Sequence, residues 1–118
     1  MIGILILNYK KYQVTADCIR SVLDTGDGLD YHIYVLDNGS GNDSIACLQA
    51  QFPNNPRITW MESAENTGYA RGNNQMLSRA RKDGCTAAVI TNSDIVFLPD
   101  TLQQLSLIHI SEPTRPIS

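Results

Sequence analysis

The chain has 118 residues, of which 42% are hydrophobic and 18% charged, a composition typical of one modest globular domain and not of a disordered segment. Its formal charge of -3 offers no long-range attraction for nucleic acid or anionic lipid, so we expect a small-ligand site and no nucleic-acid partner. Cys18, Cys47 and Cys85 follow neither zinc-ligand nor disulfide spacing, and no run approaches the roughly 20 apolar residues of a membrane span. We therefore predict a cytoplasmic protein without a membrane span in this stretch.

The first half of the chain predicts a strand, a helix and a second strand. Residues 2–7 form an apolar, β-branched run that ends in a polar segment beginning at Asn8. From Thr15 the apolar residues follow helical spacing, until Gly26 and Gly28 end the pattern. Residues 31–36 form the second apolar strand, and a long polar run starting at Asp37 follows it.

The second half repeats the alternation. A helix that Asp43 or Ser44 could cap extends to Phe52, and residues 57–61 form a short third strand. A helix over residues 69–81 ends at a basic turn followed by Gly84. A fourth strand then begins at Ala87 and stops on Asn92-Ser93-Asp94, and a further helix is expected after Pro99.

Strands that alternate with helices predict an α/β fold with a parallel sheet, in which every strand-end loop lies at the same edge. Doubly wound folds in general suggest the strand order 3-2-1-4, with a ligand crevice between the first and fourth strands. We therefore expect Tyr9, Asp37, Asn66 and Asp94 to converge at the carboxyl edge of the sheet.

Two of these residues allow more than one interpretation from the residues alone. Asp94 could be the carboxylate ligand of a hard cation, or part of a polar turn that caps the next helix. Tyr9 could stack on a nucleobase, or pack beneath the following helix. The turn after the first strand, Asn8-Tyr9-Lys10-Lys11, has no glycine, which excludes a dinucleotide-binding G-x-G-x-x-G motif and hence a nicotinamide or flavin enzyme.

Several motifs occur in one order along the chain and together carry a resemblance. They are Asn8-Tyr9, Ser21-Val22-Leu23, Val35-Leu36-Asp37-Asn38-Gly39-Ser40, Asn66-Thr67-Gly68-Tyr69-Ala70-Arg71-Gly72-Asn73-Asn74, and Asn92-Ser93-Asp94-Ile95 followed by Pro99. In this order they resemble the family 2 glycosyltransferases, and most closely the rhamnosyltransferase-like members. The resemblance covers residues 2–105 and implies the Rossmann-like nucleotide-binding half of a GT-A fold.

The resemblance implies roles for individual residues. Asp37 matches the carboxylate that hydrogen-bonds the donor's nucleobase, and Tyr9 lies in the loop that stacks against the base. Four residues match the segment that closes over the nucleotide, namely Asn66, Gly68, Arg71 and Asn73. Arg71 could equally be a solvated helix residue. Asn92-Ser93-Asp94 occupies the place of the family's D-x-D motif, with Asp94 as its metal-binding carboxylate and Asn92 as a departure that adds no charge.

The activity that the resemblance implies is inverting transfer of a sugar from a nucleotide-diphosphate sugar to a glycan or lipid-linked acceptor, assisted by Mg²⁺ or Mn²⁺. Such chemistry belongs to the synthesis of a cell-wall or surface polysaccharide, at the inner face of the membrane. No residue matches the family's general base, so we expect the chain to be catalytically inactive alone. His32 and His109 are poor substitutes because His32 lies inside a strand and His109 lies in the segment after residue 105.

That last segment, residues 106–118, resembles a translated sequencing adapter, and we interpret it as a non-native tail; a divergent terminus is the alternative. Residues 1–105 then form the donor-binding part of the enzyme. The functional alternative is a non-catalytic nucleotide-binding or interaction module of similar fold.

Overall fold

The computed structural model describes residues 1–25, 30–41, 43–63, 68–92 and 108–109. Within these ranges, strands alternate with helices as the sequence predicts. The elements are β1 (Ile2–Asn8), α1 (Tyr12–Thr25), β2 (Tyr31–Asn38), α2 (Ser44–Gln51), β3 (Ile58–Ser63), α3 (Tyr69–Lys82), β4 (Ala87–Asn92) and β5 (Ile108–His109). None of the helices in these ranges is long and apolar enough to cross a membrane. The helix expected after Pro99 lies outside the described residues.

One sheet organises the chain, in the order β3-β2-β1-β4-β5. The first four strands are parallel, so the predicted order 3-2-1-4 is confirmed. The short β5 pairs antiparallel with β4, placing Ile108 beside Ala88 at the far edge. The sequence did not predict β5, which lies within the segment interpreted as a tail. That interpretation stays a prediction.

Element boundaries differ from the expected ones near the carboxyl edge, where β3 extends to Ser63 and the boundaries of α1 and β2 also change. Helix α1 begins at Tyr12 and not at Thr15, because Lys10 adopts a left-handed φ of 65° and Thr15 N–H then reaches the Lys11 carbonyl at 3.3 Å. Strand β2 continues through Asp37 and Asn38, both of which the polar run suggested were loop residues. Pairing with β1 holds them in the sheet despite their low strand propensity.

The hydrophobic core lies on both faces of the sheet. One cluster joins the sheet to α1 and α2, with Ile4, Ile6, Ile19 and Leu48 fully buried. The other lies beneath α3, where Leu5, Tyr34, Met76 and Ala80 are fully buried. Near-continuous burial of β1 and β2 is typical of parallel strands that helices cover on both sides.

His32 lies near the start of β2, and its Nε2 is 2.6 Å from Thr59 Oγ1. Burial lowers the pKa of His32, although the Asp83 carboxylate opposes the effect. Five residues of strand separate His32 from Asp37, a distance of about 16 Å at the usual rise. His32 is therefore at the wrong end of β2 to act as a base at the carboxyl edge, as the sequence suggested.

Close packing of α3 on the sheet depends on Gly72. A Cβ placed on this residue would lie 2.6 Å from Leu7 Cδ1 and 3.2 Å from Leu36 Cδ2, both on strands beneath the helix. The first distance is too short for two carbon atoms and the second is tight, so a side chain here must displace α3 or the leucine side chains. The absence of a side chain thus sets how closely α3 approaches the sheet.

We expect Gly72→Val to lower the free energy of unfolding by ~1 to 3 kcal/mol, because the added methyl groups overpack the interface with Leu7 and Leu36. Ala70→Val is the matched control, since Ala70 is exposed on the same helix and its replacement costs only helix propensity, below ~1 kcal/mol. Urea unfolding followed by circular dichroism measures both. Equal losses in the two variants would contradict the packing argument.

Candidate functional site

The strand register places the polar strand ends side by side. Asn8 is paired with Asp37 across β1 and β2, and Leu7 is paired with Asn92 across β1 and β4. On the other side of β2, Asp37 is paired with Glu62 of β3. The carboxyl ends of four parallel strands therefore form one edge. Tyr9 and Asp37 lie at this edge as predicted, whereas Asn66 and Asp94 lie outside the described residues.

Asp37 is a carboxylate in an unusually enclosed position, with only 7% of its surface exposed. Its Oδ1 accepts a hydrogen bond from Asn8 Nδ2 at 2.9 Å and a second from the Ser40 hydroxyl. Burying a carboxylate is costly unless donors replace its lost water, and these two donors offset part of that cost. Asp37 is therefore a buried hydrogen-bond acceptor at the carboxyl end of β2.

The donors to Asp37 are themselves held in place. The fully buried Asn8 accepts a hydrogen bond on its Oδ1 from Thr15 Oγ1 at 2.5 Å. Ser40 Oγ accepts the backbone N–H of Lys10 at 2.7 Å. The Asn8 amide has one sensible orientation, because the reverse orientation would put its oxygen against the carboxylate. These bonds fasten the loop after β1 and the loop after β2 to one carboxylate.

The second carboxylate oxygen differs from the first. No side chain or backbone group in the described part of the chain donates a hydrogen bond to Asp37 Oδ2. Nor is Asp37 among the residues that form ion pairs there. Asp37 therefore presents one oxygen held by the protein and one oxygen without a protein donor, which suits an incoming N–H or O–H group.

Tyr9 follows directly after β1 and keeps 42% of its surface exposed. The ammonium of Lys10 lies 5.1 Å from the centre of the Tyr9 ring, within the range of a cation–π contact. The ring is therefore not packed beneath α1, which was the alternative interpretation. Its stacking on a nucleobase stays a prediction.

The start of α3 is fastened to the end of β2. Gly68 is the residue before the helix and has a φ of 90°, a value that L side chains rarely adopt. Its carbonyl accepts a hydrogen bond from Asn38 Nδ2 at 3.3 Å, and Asn38 itself is buried. Gly68 thus has the positive φ that the expected backbone turn requires, next to the strand that carries Asp37, and its role toward the nucleotide stays a prediction.

Two predicted residues on α3 have opposite surroundings. Arg71 is exposed and has no hydrogen bond or ion pair to the described residues, which leaves both of its interpretations open. Asn73 is only 5% exposed, and its Oδ1 is buried without a hydrogen-bond partner among the described residues. An unsatisfied buried acceptor costs about 1 to 3 kcal/mol, so this oxygen does not contribute to stability.

Of the predicted Asn92-Ser93-Asp94 motif, only Asn92 belongs to the described residues, as the last residue of β4. The strand stops at Asn92, and Asp94 is two residues further along the chain, outside the described residues. In the described ranges, no group of three or more His, Cys, Asp or Glu side chains is arranged to hold a metal. The Asn92-Ser93-Asp94 segment offers only oxygen donors, which fit a hard cation such as Mg²⁺ or Mn²⁺ that takes its other ligands from a bound diphosphate.

Sequence reasoning missed three residues that support Asp37. Asn8 was noted only as part of a motif, although a polar residue that ends an apolar strand was a usable signal. Ser40 was likewise noted only as the last residue of a motif, among many polar residues of its loop. Nothing in the sequence pointed to Thr15, because the hydroxyl of a threonine in the first turns of a helix usually forms hydrogen bonds only with the nearby backbone.

We expect Thr15→Val to lower the free energy of unfolding by ~1 to 3 kcal/mol, because it leaves the buried Oδ1 of Asn8 without a donor while preserving the side-chain shape. Thr86→Val, at an exposed position, is the matched control and should change stability by less than ~0.5 kcal/mol. Denaturant unfolding of both variants measures the two changes in the free energy of unfolding. A Thr15→Val protein as stable as the parent would show that the Asn8 contact contributes nothing.

The fold is shared with solved glycosyltransferase structures. Staphylococcus aureus TarS matches with a TM-score of 0.73 and 16% identity over 87% of this chain and 30% of that one. The Pyrobaculum calidifontis mannosyltransferase PcManGT, solved with GDP-Man and Mn²⁺, matches with a TM-score of 0.74 and 19% identity over 86% of this chain and 30% of that one. This chain therefore spans about a third of their length.

The match to a family model covers nearly the whole chain. A comparison with curated protein sequences found no match. The model described as glycosyl transferase family 2 matches residues 3–113, a range that passes Leu105 and includes β5. The parallel sheet in order 3-2-1-4, flanked by helices, is the GT-A-like arrangement of the structural matches. The chain belongs to glycosyl transferase family 2.

Proposed function

We propose that this chain is the donor-binding half of an inverting glycosyltransferase, which transfers a sugar from a nucleotide-diphosphate sugar to an acceptor hydroxyl. The family and its fold support sugar transfer from nucleotide-sugar donors in general. TarS has been solved with UDP-GlcNAc and PcManGT with GDP-Man, which makes a nucleotide sugar the ligand class to test first.

The single observation that carries this proposal is the half-satisfied carboxylate of Asp37. Asn8 and Ser40 fix Oδ1, and no described residue donates a hydrogen bond to Oδ2, which lies at the edge of a parallel sheet where ligands bind. A nucleobase N–H supplies the missing donor. Tyr9, exposed in the neighbouring loop, offers an aromatic face on which the base can stack.

The segment at the start of α3 would then hold the rest of the nucleotide. Gly68 lets the backbone turn sharply beside Asn38, and Arg71 projects a guanidinium into solvent from the first turn of the helix. The unpaired Oδ1 of Asn73 is an acceptor suited to a ribose hydroxyl or a backbone N–H. Asn66 belongs to the same proposed segment by its place in the motif.

The diphosphate requires positive charge that this acidic chain supplies only sparingly. We assign Asp94 as the carboxylate ligand of Mg²⁺ or Mn²⁺, with the Asn92 amide near the ribose or a metal-bound water. When bound, the cation offsets the charge that builds on the leaving diphosphate.

The reaction we propose is a single displacement at the anomeric carbon. The acceptor oxygen forms a bond to that carbon from the face opposite the diphosphate, the bond to the diphosphate oxygen breaks, and the acceptor proton passes to a general base. None of the described residues is assigned as that base. We place the acceptor, a glycan or a lipid-linked sugar, and the base in the remainder of the whole protein, at the cytoplasmic face of the membrane.

We expect Asp37→Ala to weaken binding of UDP by about tenfold to a hundredfold, with or without a divalent cation, because the base loses its hydrogen-bond acceptor. Asp43→Ala is the matched control, since Asp43 is an exposed carboxylate beside the same edge with no side-chain cap hydrogen bond. Isothermal titration calorimetry measures both. Unchanged affinity in Asp37→Ala would remove this carboxylate from the base site.

We expect Asp94→Asn to weaken UDP binding only when Mg²⁺ or Mn²⁺ is present, because the substitution removes the charged cation ligand and leaves the base site intact. Calorimetry in the presence of the cation and in its absence, with EDTA, separates the two contributions. Asp43→Asn is the control, because it makes the same change of charge at an exposed carboxylate that has no assigned role in binding. A loss of affinity that is equal with and without the cation would point to a defect in folding.

A further inference from the structure

We propose that the chain carries a second ligand site, a cleft beside the outermost strand of the sheet that binds an uncharged oligosaccharide. This inference goes beyond the proposed function, because the cleft lies at a different place in the fold from the nucleotide site. Its volume is about 390 Å³, within the range of about 300 to 1,000 Å³ that is usual for small-molecule sites. We call it the Trp60 cleft, and its lining includes Gln49, Phe52, Asn54, Asn55, Ile58 and Trp60.

The Trp60 cleft lies where the end of α2 meets the first half of β3. In the sheet order β3-β2-β1-β4-β5, β3 is the outermost of the described strands. Ile58, at the cleft, precedes Glu62 by four residues, or about 13 Å of strand, and Glu62 is the residue paired with Asp37. The cleft therefore lies toward the amino end of β3, away from the carboxyl edge.

Trp60 supplies an apolar surface in this cleft. The side chain is half-buried: it packs against the core cluster that includes Phe52 and Ile58, and it also lines the cleft. An indole has an apolar face and one N–H donor at its rim. The C–H groups of a sugar ring can pack on such a face while its hydroxyls remain at the rim. Trp60 is therefore suited to hold one face of a sugar ring.

Three amide side chains supply hydrogen-bonding groups beside Trp60. The Oδ1 of Asn55 accepts the backbone N–H of Arg57 at 2.9 Å, which leaves its Nδ2 as a donor for a ligand. Gln49 and Asn54 are exposed, and their side chains form no hydrogen bond with the described residues. An amide has one acceptor oxygen and two N–H donors, and a hydroxyl is both donor and acceptor. The three amides can thus bond to sugar hydroxyls in either direction.

The absence of charge in the cleft decides the class of ligand. None of the described residues that line it is charged. The guanidinium of Arg57 lies 4.4 Å from the centre of the Tyr31 ring, and that of Arg20, near Phe52, is paired with Asp17 at 3.1 Å. A nucleotide or a uronic acid would lose hydration in the cleft without gaining a cation. The ligand that fits is therefore neutral and rich in hydroxyls.

The turn between α2 and β3 is held in place by its own hydrogen bonds. Ile58 N–H bonds to the Asn55 carbonyl at 3.2 Å, and Phe52 N–H bonds to the Leu48 carbonyl at 3.1 Å. Asn54 has a φ of 54°, in the left-handed region that asparagine adopts more readily than most residues. A site formed in advance loses less conformational entropy when its ligand binds.

The first test uses Trp60 as the reporter, since it is the only tryptophan among the 118 residues. The chain is titrated with cellotetraose, maltotetraose, mannotetraose and N-acetylchitotetraose, and binding is followed by tryptophan fluorescence and by calorimetry. We expect at least one of these sugars to bind with a Kd on the order of 1 mM or below and to change the fluorescence. Absence of binding by both methods at about 10 mM sugar would overturn the proposal.

Tetragalacturonate is the charged comparison in the same titration. We expect it to bind at least about tenfold more weakly than the best neutral tetrasaccharide, because the cleft offers no cation to its carboxylates. Binding of the uronate as tight as that of the neutral sugar would overturn the assignment to an uncharged ligand.

The second test removes the amides with Asn54→Gly and Gln49→Ala. Glycine adopts the left-handed φ at position 54 without strain, so Asn54→Gly removes the amide and leaves the turn intact. We expect each variant to weaken binding of the best tetrasaccharide by about threefold to tenfold, through the loss of one hydrogen bond. Gln13→Ala, at an exposed position of α1, is the control and should leave the affinity unchanged. Parent affinity in both cleft variants would overturn the proposal.

The third test removes the aromatic face with Trp60→Leu, which keeps an apolar side chain against the core. Tetrasaccharide affinity measured by calorimetry should fall at least about tenfold, and parent affinity in a folded variant would overturn the proposal. Thermal unfolding shows whether the variant is folded, and if it is not, the two amide variants decide the outcome. Analytical ultracentrifugation should find a monomer. A dimer that Trp60→Leu dissociates would instead assign the cleft to self-association and overturn the proposal.

The last test separates the Trp60 cleft from the nucleotide site. Saturating UDP with Mg²⁺ should leave the tetrasaccharide affinity unchanged, and Gln49→Ala should leave UDP affinity unchanged. Competition between UDP and the tetrasaccharide would overturn the second site. Tetrasaccharide binding in a chain that fails to bind UDP would uphold the second site and contradict only the proposed function.

Discussion

The constraint on which the rest of the structure depends is the register between β1 and β2, which places Asn8 directly beside Asp37. Because the side chains of paired residues in a sheet lie on the same face, this register brings the Asn8 amide within 2.9 Å of the carboxylate. A slip of one residue would send Asp37 to the opposite face and place Leu36 or Asn38 beside Asn8. The position of Asp37 next to Asn8 therefore depends first on the pairing of β1 with β2, and only then on the conformation of the loops.

The same carboxylate joins two loops that carry ligand-binding candidates. Lys10 N–H reaches Ser40, Ser40 reaches Asp37, and Asp37 is held by Asn8, so the turn after β1 and the turn after β2 share one hydrogen-bonded network. Networks in a buried, low-dielectric setting strengthen their members but make any unpaired group expensive. The chain leaves Asp37 Oδ2 without a donor in the described residues, so this oxygen is available to a donor from a ligand.

Helix α3 shows how packing and binding are combined in one element. Gly72 allows the helix to lie against Leu7 and Leu36, and the next residue, Asn73, is buried with no partner for its Oδ1 in the described part of the chain. Apolar residues at Met76 and Ala80 continue the same contact along the helix. The C-terminal turns of α3 therefore stabilise the fold through apolar packing. The N-terminal turns, next to Gly68, carry polar groups that do not add to stability.

The sequence by itself determined the alternation of strands and helices and hence a parallel sheet, whereas the order of the first four strands was expected from doubly wound folds in general. Apolar runs and helical periodicity are local properties, and the handedness of crossovers limits how they can be joined. It also indicated Asp37, through its place after an apolar strand and through the family resemblance. Only the tertiary structure decided that Asp37 belongs to the strand, that Asn8, Ser40 and Thr15 support it, and that one of its oxygens is already saturated. These facts depend on contacts between residues up to 29 positions apart, which no local pattern specifies.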